Sequence, residues 1–345
     1  MRALALSGVG SLEHLAVRDV PAPDLRAADD VRIRVRAAAL NRLDLYVVDG
    51  LPAMADAFPH VVGADCAGVI EAAGPGVTRF HSGDRVMINP GISCGRCEWC
   101  LRGEQSLCEA FHLLGEHLPG TIAEYVTVPE RNLARVPEGM SWPEAAGFSL
   151  AALTAWRMLA HRAALRAGET ILVWGIGGGV SLASVQIARL LGTRVIATSS
   201  SNAKLEVARS LGADVILNHT EVDVPKEVRR LTGRRGADVV VDNVGEQTWE
   251  RSLRCLARLG RLVTCGATTG PMCVTDLRKL FWYQWTMLGS TMGSHEDYRE
   301  VTALAARGLL WPVVDAVFPL EEGRRAFERL REGAQTGKIV IEVPE

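Results

Sequence analysis

No apolar run in this 345-residue chain is long enough to cross a membrane, because the longest candidates are broken by Arg, Asp or Gly. Long runs of Lys and Arg are missing too. With 38 basic against 40 acidic side chains the formal net charge is −2, so no electrostatic pull toward nucleic acid or an anionic membrane is expected. The opening stretch, MRALALSGVGSLEHLAVRDV, lacks the long apolar core and small-residue cleavage site of an export signal, and repeats and low-complexity segments are absent. These absences point to a cytoplasmic protein whose 8 cysteines stay reduced. A hydrophobic share of 48% and a charged share of 23% suit a globular protein, and the length suits two domains.

Four of the cysteines are crowded into one stretch. In CGRCEWCLRGEQSLC, Cys94, Cys97, Cys100 and Cys108 follow a C-x2-C-x2-C-x7-C spacing, with Gly91, Gly95 and Gly103 giving the loop freedom to fold. That pattern presents four thiolates tetrahedrally to one structural Zn2+ per chain. Disulfides are disfavoured in a reducing setting, and iron–sulfur clusters take other spacings. Four thiolates also complete the coordination sphere, so a metal held there has no open position for chemistry.

The first 130 residues read as short strands and turns: VRIRVRAAAL alternates, VVGADCAGVIEAAG is a small-residue strand pair, and GDRVMI follows a Gly-Asp turn. A helix starts near Ser141, with Pro143 and Glu144 in its first turn. From residue 170 apolar strands alternate with amphipathic helices, including QTWERSLRCLARLG and then the strand GRLVTCG, which predicts a parallel sheet covered on both faces. The closing GKIVIEVP is again a strand, placed to return to the first domain.

Between the first of those strands and its helix lies VWGIGGGVSLASVQIA. Gly175, Gly177, Gly178 and Gly179, followed by Val180, let the backbone approach a pyrophosphate at a helix N-terminus. The strict G-x-G-x-x-G spacing is broken, but the strand–turn–helix setting supports a dinucleotide. The second strand ends IATSSSNAK, with no acid to take a ribose 2′-OH. Ser199, Ser200 and Lys204 suit a 2′-phosphate instead, which favours NADP(H) over NAD(H); the same serines could also cap the next helix.

In this order, these residues resemble the medium-chain dehydrogenase/reductase superfamily, the zinc-containing alcohol dehydrogenase-like proteins, over essentially the whole chain. The resemblance implies an α/β chain: a GroES-like, mostly-β domain over 1–130 and 310–345 with a structural zinc lobe at 91–110, and a Rossmann doubly wound parallel-sheet domain over 140–295. It departs at the catalytic zinc. Where zinc alcohol dehydrogenases carry Cys, His and Cys ligands, this chain has Asn41 in NRLD, Ala64 in GAD and Leu150 in SLAALTAW, and Leu43 stands at the proton-relay hydroxyl. Ala and Leu offer no lone pair and an amide is a poor zinc ligand, so no catalytic zinc is expected. At the same site the chain resembles the zinc-free quinone oxidoreductase branch, matching its N-x-x-D and following Tyr with Asn41, Asp44 and Tyr46, and its glycine turn with Gly178, Gly179, Val180 and Ser181. The resemblance also implies that Thr154 lies near the nicotinamide, that Lys204 and His219 lie near the 2′-phosphate, and that Asn243 to Gly245, Gly266, Ala267 and Lys338 lie along the cofactor.

Without zinc, alkoxide chemistry loses its Lewis acid, whereas an enolate needs only hydrogen-bond donors. The expected activity is NADPH-dependent reduction of an enone, enal or quinone, with the Asn41 Nδ2–H and the Tyr46 hydroxyl holding the oxygen and Tyr46 or water supplying the proton. His117 in GEHLPGTIAEY is another candidate acid. Two alternatives stand beside this: an alcohol dehydrogenase with an atypical metal site, and an NADPH-binding sensor without turnover. The expected partners are a small carbonyl or quinone substrate and a second copy of the chain, as homodimer or homotetramer, with PMCVTDLRKLFWYQWTMLGSTMGS as a candidate pairing edge. Pocket shape is expected to depend on loops at 46–60, 112–120 and 270–295.

Overall fold

A computed structural model describes residues 1–51 and 58–344. Part of the 46–60 loop, residues 52–57, therefore lies outside the described residues. The chain divides into two compact units, Met1–Ala151 with Gly293–Glu345, and Ala152–Met292. The return to the first unit comes at Gly293, earlier than the residue 310 read from sequence. Helix His295–Ala306 belongs with the first unit because its Tyr298 hydroxyl bonds Ser149 Oγ at 3.0 Å, both groups being buried.

The first unit is built around strand Asp30–Ala39. Val31, Ile33 and Val35 are buried on one face while Arg32, Arg34 and Arg36 stay half-exposed between them, the two-residue period of a half-buried strand. This strand pairs antiparallel with Asp65–Ala73, with Tyr125–Pro129 and with Lys338–Glu342. The sheet runs in the order Leu133–Arg135, Arg85–Ile88, Asp65–Ala73, Asp30–Ala39, Lys338–Glu342, Val314–Pro319. Gly68 is required where the two long strands cross most closely, since a Cβ there would come within 2.1 Å of the Arg34 carbonyl oxygen. At the far end Ala39 faces Asp65 on one side and Val340 on the other. That register brings three distant segments to one point, with Asn41 two residues past Ala39.

Helix Trp142–Trp156 opens on a reciprocal cap, in which Ser141 N–H donates to Glu144 Oε2 at 2.8 Å and Glu144 N–H to Ser141 Oγ at 3.4 Å.

In the second unit six parallel strands, β1 (Thr170–Val173), β2 (Arg194–Ser199), β3 (Val215–Asn218), β4 (Ala237–Val241), β5 (Leu256–Thr264) and β6 (Thr286–Gly289), lie in the order 3-2-1-4-5-6. This is the doubly wound arrangement, whose strand order reverses between β1 and β4. Every residue of β1 and β4 is buried, as expected of strands covered on both faces. One boundary differs from the sequence reading. Helix Trp249–Cys255 stops before LARLG, because Leu256 already pairs with Ala237 of β4 and both are buried. No helix among the described residues is long and apolar enough to cross a membrane.

Candidate functional site

In the first unit, Asn41 is the N-cap of helix Arg42–Asp49, and its backbone N–H donates to Asp44 Oδ2 at 2.6 Å. Its side chain is fully engaged. Nδ2 donates to Asp65 Oδ2 at 3.0 Å and to the Ala39 carbonyl at 3.4 Å, while Oδ1 accepts from Lys338 Nζ at 2.5 Å. The reverse amide orientation would face its NH2 toward an ammonium and its oxygen toward a carboxylate, so the neighbours fix it. Lys338 Nζ also donates to Asp65 Oδ2 at 3.1 Å, and Leu150 N–H donates to Asp65 Oδ1 at 2.9 Å. Lys338 is 3% exposed and Asp65 0%. A buried pair of this kind is stabilising only as a pair, because removing one partner leaves an uncompensated charge.

Asp44 lies beside this pair. Burial pushes its carboxyl up to about 7, against the opposing pull of the Asn41 N–H and the Lys338 charge. Tyr46 sits half-buried on the same helix, and its hydroxyl has no partner among the described residues. His117 is half-buried; its Nδ1 accepts from Leu113 N–H at 3.3 Å and its ring stacks on His112 with centroids 5.4 Å apart.

These contacts correct the role expected of Asn41. Both of its N–H groups are used within the protein, so its amide is a structural link between Lys338 and Asp65. Lys338, expected along the cofactor, is held by Asn41 and Asp65. The three positions matching a catalytic zinc site hold an amide already bonded to an ammonium, the buried methyl of Ala64 and the side chain of Leu150. They do not fit a zinc ion.

The cysteine lobe does fit one. The Sγ atoms of Cys94, Cys97, Cys100 and Cys108 all lie within 4.8 Å of one another, and those of Cys94 and Cys100 are 3.9 Å apart. The edge of a zinc–thiolate tetrahedron, from a Zn–S distance of about 2.3 Å, is roughly 3.8 Å. Backbone N–H groups of Arg96 and Cys97 donate to Cys94 Sγ at 3.5 and 3.3 Å, and they push that thiol down to about 6. Burial pushes Cys108 up to about 11, and a bound dication is what would hold it as a thiolate.

In the second unit the glycine turn leaves β1 at Gly175, whose φ of +68° is a left-handed conformation that glycine adopts without strain. Gly178 caps helix Gly179–Leu190, and a Cβ added to it would meet nothing within 4 Å. The first helical amides, Gly179 and Val180 among them, precede the first intrahelical bond, from Leu182 N–H to the Gly178 carbonyl. Open space before free amides at a helix N-terminus fits a pyrophosphate.

The hydroxyls expected to read the 2′-phosphate are not equivalent. Ser199 is buried; its Oγ donates to the Ile176 carbonyl at 3.2 Å and accepts from Ser201 N–H at 3.2 Å, so it clamps the glycine turn to β2. Ser200 is exposed and Lys204 is half-buried. His219 packs its ring 5.9 Å from that of Trp174, and burial, with Arg251 nearby, lowers its pKa.

At the ends of β4 and β5 the loops are tied together. Asn243 Oδ1 accepts from Cys265 N–H at 2.8 Å, and its carbonyl accepts from Thr268 Oγ1 at 3.0 Å. Buried Asp242 accepts from the N–H groups of Val244 and Gly245 at 3.0 and 3.1 Å, from Thr248 Oγ1 at 2.8 Å and from Ser252 Oγ at 2.6 Å. Gly245 has room for no side chain, since its Cβ would lie 2.6 Å from the Gly270 carbonyl oxygen. Gly266 and Ala267 lie on the loop that Asn243 holds, and Thr154 is buried with Oγ1 3.8 Å from Met292 Sδ. Sequence reading missed Asp242 as the clamp of this loop and Tyr298 as the partner of Ser149. Asp242 carries a usable signal, an acid directly after the apolar run Val239 to Val241; Tyr298 carries none.

Comparison with known proteins places these features. Residues 27–138 match the alcohol dehydrogenase GroES-like domain and residues 179–307 the zinc-binding dehydrogenase family. The chain is 31% identical to an NAD-dependent alcohol dehydrogenase of Sulfolobus acidocaldarius, over 99% of this chain and 100% of that one. It is 32% identical to a quinone oxidoreductase of Pseudomonas aeruginosa, over 98% of both. Among solved structures, an NAD-dependent alcohol dehydrogenase superposes with a TM-score of 0.96 at 46% identity, covering 100% of both chains. The chain belongs to the medium-chain dehydrogenase/reductase superfamily and is an NAD(P)H-dependent oxidoreductase.

Proposed function

We propose that this protein uses NADPH to reduce the conjugated double bond of enones and enals, or quinones, without a catalytic zinc. The observation that supports this most is the set of side chains at the three zinc-ligand positions: an amide bonded to a buried ammonium, a methyl and an isobutyl group. Charge at the substrate oxygen then falls to polar side chains, and the hydroxyl of Tyr46, without a partner among the described residues, is the donor we assign to it. Tyr46 or a water returns the proton to carbon.

Bound NADPH would supply the hydride. Gly175, Gly177, Gly178, Gly179 and Val180 would accept its pyrophosphate, and Thr154, Asn243, Gly245, Gly266 and Ala267 would line the rest. The preference for NADP(H) rests on the absence of an acid at the end of β2, with exposed Ser200 and half-buried Lys204 in its place. The four cysteines would hold one structural Zn2+ per chain.

The exposed apolar side chains of Met272, Val274, Leu277, Phe281 and Trp282, in the segment that precedes the end strand β6, support a second copy of the chain as partner, in a homodimer or homotetramer.

NADPH oxidation with phenanthrenequinone and with cyclohexenone, combined with metal content per chain, tests the reading. Turnover of both acceptors with one zinc per chain is expected. Activity confined to alcohols with NAD+, with two zinc ions per chain, would replace it by the second reading, an alcohol dehydrogenase with an atypical metal site, which the similarity to NAD-dependent alcohol dehydrogenases favours.

A further inference from the structure

Arg251, on helix Trp249–Cys255 of the second unit, is half-buried and has neither a hydrogen bond nor an ion pair among the described residues. Its guanidinium carbon stands 4.7 Å from the ring centroid of Trp174 instead. A ring face attracts the charge but leaves the five N–H donors of the guanidinium fork without an oxygen acceptor.

Strand register says where this cation lies. Trp174 follows the Val173–Ala197 pair, so it sits beside Thr198 at the carboxyl ends of β1 and β2. His219, two residues past the Thr198–Leu217 pair, brings its ring to 5.9 Å from that of Trp174, and its backbone N–H donates to the Ser199 carbonyl at 3.0 Å. Arg251 therefore stands at the end of a doubly wound sheet where ligands bind, with exposed Ser200 two residues beyond Thr198. Three buried polar atoms here, Trp174 Nε1, Thr198 Oγ1 and His219 Nδ1, also lack partners among the described residues, which is uncommon for buried groups. No acid is at hand to neutralise the cation. β2 ends without one, and buried Asp242 is taken up by Val244, Gly245, Thr248 and Ser252.

We propose that Arg251 reads the 2′-phosphate of NADP(H), meeting it from the helix after β4 while Ser200 and Lys204 hold it from the end of β2. This rests on the NADP(H) preference proposed above and adds to it a residue that the β2 segment does not contain. The guanidinium fork matches two oxygens of a phosphate monoester, and such a bidentate, charge-assisted pair is stronger than a cation on a ring face. The ribose 2′-OH of NAD(H) carries no charge to answer it. The contact therefore discriminates between the two cofactors instead of tightening both.

The fragments 2′,5′-ADP and 5′-AMP differ only in the 2′-phosphate, and their binding needs neither substrate nor turnover. Calorimetry on the wild type should show 2′,5′-ADP binding about tenfold or more tightly than 5′-AMP, with a margin that narrows as salt is added. Arg251→Gln should weaken 2′,5′-ADP about tenfold and shift 5′-AMP by less than about twofold. Arg251→Lys, which keeps the charge but not the fork, should fall between wild type and Arg251→Gln. A wild type that binds both fragments alike overturns the NADP(H) preference and this assignment together. A wild type that prefers 2′,5′-ADP, with both variants preferring it equally, overturns the assignment alone. So does equal weakening of both fragments in a variant that melts like the wild type, which would make Arg251 a cover for Trp174.

Discussion

Two clusters in the first unit differ in what they could hold. At 94–108 four thiols converge to zinc spacing, and backbone N–H groups support a negative charge on Cys94. At positions 41, 64 and 150 no donor suited to zinc remains, and a lysine brought in by the last strand supplies a positive charge. The cysteine lobe is encoded within 15 consecutive residues and can be kept or lost as a piece. The other site draws on segments spread over the whole chain. Its buried carboxylate, Asp65, needs a cation to balance it, and the Lys338 ammonium at 3.1 Å is that cation.

The largest expected effect breaks the first half of this comparison. Cys97→Ser should abolish stoichiometric metal binding and unfold the loop, at a cost of several kcal/mol, because metal affinity at such a site is folding free energy. Metal analysis and thermal melting with and without a chelator check it. A variant that keeps one tightly bound zinc and an unchanged melting temperature would remove the structural role.

The second half breaks at Lys338. Lys338→Met alone strands Asp65 as an unpaired buried charge and should cost about 3–5 kcal/mol, whereas adding Asp65→Leu, which removes both charges, should recover most of the loss. Urea unfolding of the wild type, the single and the double variant measures the coupling. Equal losses in single and double variants would mean that packing, not charge balance, holds the site.

How much of this could be read from sequence follows the same division. The cysteine spacing, the glycine turn after β1 and the alternation in Asp30–Ala39 are local, and each appears in the structure as an element of the expected kind. The network around Asn41 was not legible. Asn41, Asp65 and Lys338 meet only through the register that sets Ala39 opposite Asp65 and Val340, so the amide read as a substrate donor is engaged elsewhere. The packing of His219 beside Trp174 is another pairing that the sequence alone does not show.

The smallest effect sharpens the comparison by asking how complete the charge balance is at the emptied site. Asp44 is the second buried carboxyl there, 1% exposed, and its acceptor bond from Asn41 N–H joins it to the same network. Burial raises it from 3.8 to about 7, so between about pH 4 and pH 7 the folded protein keeps a proton that the unfolded chain has lost. The folded state therefore binds more protons across that window, and stability falls as pH rises, by on the order of 1 kcal/mol per pH unit. The contribution is complete below about pH 4 and gone above about pH 7. Asp44→Asn titrates nowhere in this range, so unfolding free energies of the wild type and the variant, measured at pH 5 and pH 8, should differ in slope, with the wild type losing relatively more at pH 8. Parallel slopes would mean that the Lys338 ammonium already balances both carboxylates, and that the emptied site carries a single net negative charge at neutral pH.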